Sequence, residues 1–67
     1  MINTTEPSPY EAEVRALKVK LLEEKAGMTE YLKLKMKQED WHGVADAAMD
    51  IREIVAKLQI LDSISSA

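Results

Sequence analysis

The chain has 67 residues, enough for one small domain at most. It contains no Cys, which excludes disulfides and thiolate metal sites, and its formal charge of -3 excludes bulk nucleic-acid binding through net charge. Phe is absent and only Tyr10, Tyr31 and Trp41 are aromatic. The apolar content is Leu, Ile, Val, Ala and Met, a mixture that favours long helices packed in coiled-coil fashion.

Residues 1–7 are polar, contain Pro7 and read as a flexible tail. They lack the basic and apolar regions of a signal peptide, and no apolar run approaches the ~20 residues of a membrane span. A soluble cytoplasmic protein without a membrane partner is therefore expected. Ser8-Pro9-Tyr10-Glu11 marks a helix start: Ser8 as N-cap, Pro9 at the first helical position, and Glu11 closing an S-x-x-E capping box.

Beyond it, Val14, Leu17, Leu21, Met28, Leu32 and Met36 form a helical stripe with one gap at Glu24 and Lys25. Gly27 follows the gap. It can end a first helix, with Thr29 capping a second, or lie inside one helix at a cost of about 1 kcal/mol against Ala. Because the apolar register passes from Leu21 to Met28 to Leu32 without a phase break, the reading taken is one helix over 9–38.

Around Gln38-Glu39-Asp40 this helix must stop, and Asp40 is a good N-cap for a second. Trp41, Val44, Ala48, Ile51, Val55 and Leu58 recur at alternating spacings of three and four. Ala47, Ile51, Ile54, Leu58 and Leu61 run beside them. Gly43 offers the alternative of a later start capped by Asp46. Trp41 and Val44 already fit the stripe, so helix 2 is placed over 41–62, with 63–67 a short tail.

The expected fold is all-α: an antiparallel helical hairpin with a tight connection. Helix 1 should overhang helix 2 by about two turns, exposing Tyr10 and Val14. Two helices alone cannot cover so broad an apolar face. The stripes above are therefore expected to serve as core and oligomer contact, in a four-helix bundle of two chains or a larger ring.

Three groups of polar residues invite a functional reading. Glu39-x-x-His42 has the spacing of di-metal helical bundles, but such a site also needs two further Glu from other helices and the motif lies at the turn, so a di-metal bundle is only a remote alternative. No metal and no cofactor is expected. Asp46 and Asp50, four apart, repel on a helix unless a cation of helix 1 or another chain sits between them; they are candidate partner contacts, while Glu53 is expected to pair with Lys57. Arg15, Lys18 and Lys25 lie near one face of helix 1. With Tyr10 they could hold an anionic, nucleotide-like ligand where subunits meet. No nucleophile constellation, phosphate loop or dinucleotide fingerprint is present, and an enzyme is not expected.

The run Trp41-His42-Gly43-Val44-Ala45-Asp46-Ala47-Ala48-Met49-Asp50-Ile51-Arg52-Glu53 resembles a motif in small uncharacterised proteins of bacteriophages and prophages, over about 31–61. The resemblance assigns no activity and no site residue. It implies a viral accessory protein acting in the host cytoplasm, where short helical proteins counter host defences by sequestering cyclic nucleotide signals or by blocking a host protein.

Overall fold

The computed structural model describes residues 9–65. Two helices make up this span: α1, Pro9–Lys37, and α2, Trp41–Ser65. They form the expected hairpin. The Ser8 cap and the tail residues 1–7, 66 and 67 lie outside the described residues.

α1 runs through Gly27 without interruption. Thr29 starts no new helix: its hydroxyl donates to the Lys25 carbonyl at 2.7 Å, a bond inside a continuous turn. α2 continues three residues past the expected end at Asp62, so residues 63–65 are helical rather than tail. With 29 residues against 25, α1 is longer by only about one turn, not two. Val14, expected in the overhang, is buried.

The seam between the helices is a heptad pattern. In α1 it passes through Val14, Lys18, Leu21, Lys25, Met28, Leu32 and Lys35, all buried or half-buried. On the facing side it passes through the capping Asp40 and then Val44, Ala47, Ile51, Ile54, Leu58 and Leu61 of α2, with the same burial. The apolar gap seen at Lys25 is thus a seam position filled by a lysine stem. Ala47 has no exposed surface, and the lack of a larger side chain there lets the helices approach closely. Lys18 Nζ reaches Asp62 Oδ1 at 2.8 Å, which fixes the register at the open end.

The other end is fixed by the turn. The Glu39 N–H donates to the Met36 carbonyl at 3.0 Å and the Asp40 N–H to the Lys35 carbonyl at 2.9 Å. These two bonds are the Schellman pattern, with Glu39 in the left-handed region at φ 57°. Asp40 then caps α2, its Oδ1 accepting from the Gly43 N–H at 3.1 Å and its carbonyl from the Val44 N–H at 3.0 Å. One residue therefore closes the first helix and opens the second.

Candidate binding surfaces

Lys35 joins the turn to both helices. Its stem crosses Gly43, where an added Cβ would come within 2.8 Å of Cδ and 3.0 Å of Cγ. Its Nζ reaches Asp40 Oδ2 at 3.4 Å and lies 5.2 Å from the Tyr31 ring centroid. Gly43 is therefore needed for space: any side chain would displace Lys35 and crowd the Asp40 carboxylate. The Gly43 N–H bond, then Lys35 beside it, holds the Asp40 carboxyl below the usual carboxylate range.

The hairpin has two broad flanks, and they differ. One carries two adjoining hollows of about 390 and 420 Å³ that share Glu24 and Lys57. Asp50 and Glu53 line the first; Leu17, Lys20 and Ile60 line the second. Helical periodicity places Asp46 and Tyr31 on this same flank. Among the described residues, Glu53 and Lys57 line the hollow without an ion pair between them. Among the described residues no Lys or Arg pairs with Asp46 or Asp50; Asp46 Oδ2 faces His42 Nε2 at 3.6 Å on an open surface. This flank is acidic.

The opposite flank follows the seam positions by one residue. It carries Val19, Leu22 and Met36 of α1 and Trp41, Ala48 and Val55 of α2, with the cations Arg15, Lys33 and Arg52 among them and no carboxylate before Asp62 at the open end. Trp41 is 62% exposed and Leu22 53%.

The expected contact residues divide accordingly. Val14, Leu21 and Ile54 are buried in the seam, and Met28, Leu32, Val44, Ile51, Leu58 and Leu61 are half-buried there. Val55 is half-buried at its edge. Leu17, Met36, Trp41 and Ala48 are exposed and lie outside the seam. Trp41 sits at the first helical position, turned outward beside the seam, which Asp40 and Val44 occupy.

The expected ligand residues are not gathered in one chain. Lys18 and Lys25 stand in the seam, two turns apart, and Lys18 is engaged with Asp62. Tyr10 and Arg15 are exposed, on opposite flanks by periodicity. The Glu39–His42 spacing is not that of two residues on one helix. Glu39 is a left-handed turn residue outside both helices, so it shares no helix face with His42, and the described residues contain no cluster suited to a metal ion. No described helix is long and apolar enough to cross a membrane.

What the sequence reading missed was the clasp of Lys35, Asp40 and Gly43. The available signal was Gly43 three residues after a capping Asp, opposite a long side chain at the end of α1. No family model, curated protein or solved structure matches this chain.

Proposed function

We propose that the chain is a non-catalytic binding subunit, completed by self-association, whose acidic flank engages a cationic protein partner. One observation carries the reading. Among the described residues, eleven large hydrophobic side chains are exposed and only Val14, Leu21 and Ile54 are buried, so the folded chain leaves just over half of its large apolar side chains in water. Chains of this length rarely hold a core unaided, and a second copy is the simplest cover.

The partner class follows from the charge of the hollow-bearing flank, where exposed Leu17, Tyr31 and Ile60 lie among carboxylates. Glu24, Asp46, Asp50 and Glu53 outnumber Lys20 and Lys57 there, beside hollows that accept apolar side chains. The likeness of residues 41–53 to small phage proteins makes a host bacterial protein the expected target, a counter-defence role the expected purpose and the bacterial cytoplasm the expected place. Capture of a cyclic nucleotide or other anionic small molecule would need Tyr10, Arg15 and Lys25 from more than one chain, which makes it the second reading.

Light scattering at micromolar concentration tests the first half: an oligomer is expected, and a fully helical monomer refutes it. For the second half, wild type and Asp46→Lys/Asp50→Lys are compared as bait in bacterial lysate at low and high salt. Salt-sensitive capture of a basic protein by wild type alone, with oligomer size unchanged, is expected. Equal capture by both baits removes the acidic flank from the mechanism.

A further inference from the structure

The apolar flank has an internal order that points to its occupant. Lys35 lies level with Gly43 and Lys18 close to Asp62, which sets the heights of the two helices. Stepping by heptads from the turn, Met36 is level with Trp41, Thr29 with Ala48, Leu22 with Val55 and Arg15 with Asp62. The flank is thus four rungs: two large apolar residues, two small ones, two medium apolar ones, and a cation with an anion.

A two-fold axis along the hairpin sets α1 of one copy against α2 of the other at equal heights. Every rung then meets its own kind. Met36 meets the second copy's Trp41, Thr29 meets Ala48, Leu22 meets Val55, and Arg15 meets Asp62. The inverted arrangement, with the turns at opposite ends, sets α1 against α1 and brings Arg15 towards Lys33 of the other copy, a like-charge contact. Neighbouring helices are antiparallel in both arrangements, so the dipoles are satisfied in either and the charged residues make the choice. The strip from Arg15 to Met36 is about 32 Å long and two helices, roughly 20 Å, wide. That is on the order of 600 Å² in projection per chain, close to what a standard interface covers.

We propose that this flank is the interface with a second copy of the chain, joined in register with both turns at the same end as a four-helix bundle. The proposal rests on the self-association reading and specifies its face and geometry. It assigns Arg15 to the partner chain's Asp62 and Trp41 to the bundle interior, and leaves the acidic flank open.

Trp41 is the chain's sole Trp and reads the face directly. In the dimer its emission should be blue-shifted and protected from quencher, and dilution should reverse both. Leu22→Lys and Ala48→Lys should each weaken dimerisation about a hundredfold or more, because a further cation is buried on a flank that already holds Lys33 and Arg52 and no nearby carboxylate. Ile60→Glu, on the acidic flank, should leave the dimer intact. Since the chain has no Cys, an equimolar mixture of Thr29→Cys and Ala48→Cys chains should form the mixed disulfide under mild oxidation.

A helical monomer at micromolar concentration refutes self-association and this interface together. An oligomer that keeps Trp41 open to quencher, survives Leu22→Lys or is lost in Ile60→Glu overturns the interface alone. Thr29→Cys chains that cross-link to each other rather than to Ala48→Cys overturn the in-register geometry.

Discussion

The two glycines allow one substitution to be made in opposite surroundings. Both lie inside helices, so replacement by Ala removes the same excess backbone freedom, worth about 1 kcal/mol in each case. An added Cβ at Gly27 meets nothing within 4 Å. Gly27→Ala should therefore stabilise by nearly the full amount, raising Tm by roughly 4–8 °C for a domain of this size. At Gly43 the Cβ lies 2.8 Å from Lys35 Cδ and 3.0 Å from Asp40 Oδ2. Crowding of this kind costs about 1–3 kcal/mol. After the propensity gain, Gly43→Ala should be neutral to destabilising by about 2 kcal/mol. Thermal melts followed by circular dichroism, at one fixed chain concentration because association shifts Tm, measure both. The causal claim is tested in a Lys35→Ala background, where the obstructing stem is gone and Gly43→Ala should become stabilising. A Gly43→Ala protein as stabilised as Gly27→Ala, with Lys35 present, would refute the account of the turn.

Glu39→Gly should raise stability by about 1 kcal/mol, since a residue with a Cβ is held at φ 57° and Gly occupies that region freely; urea melts would show a higher midpoint with unchanged slope. Asp40 predicts acid sensitivity at the turn. Its folded pKa is depressed by the Gly43 N–H and Lys35, so its contribution is present above the ordinary carboxylate range and is lost as pH falls through the lower folded value. Asp40→Asn keeps the cap but cannot titrate, and its Tm should fall less than that of wild type between neutral pH and about pH 2. Ala47→Leu should destabilise by about 1–3 kcal/mol, because a residue with no exposed surface at the closest helix approach has no room to grow; an unchanged melt would deny that the seam is tightly packed there.

The elements were legible in the sequence for local reasons. Pro9 at a first helical position, Asp40 as a cap and long runs of three-and-four spacing each act within a few residues, and they placed α1 and the start of α2. The partition of the apolar residues was not legible. Hydropathy read Lys18 and Lys25 as outward cations because it scores the charged head. In the hairpin their methylene stems fill the seam, and the head emerges at its edge. Once those two positions belong to the seam, Leu17 and Met36 fall on opposite flanks, and the stripe that joined them dissolves.

The same rule governs the Trp41–Glu53 segment. Sequence alone determined that it is a helix begun by Asp40, with small residues where another helix can come near. Only the tertiary structure decided what each residue faces: Gly43 yields its space to Lys35, Ala47 is sealed between the helices, and Trp41 and Ala48 are left outside them. Helix formation depends on neighbours within one turn, whereas the direction a side chain faces depends on where the second helix lies. That position was fixed by a turn of three residues and by the long side chains that cross it.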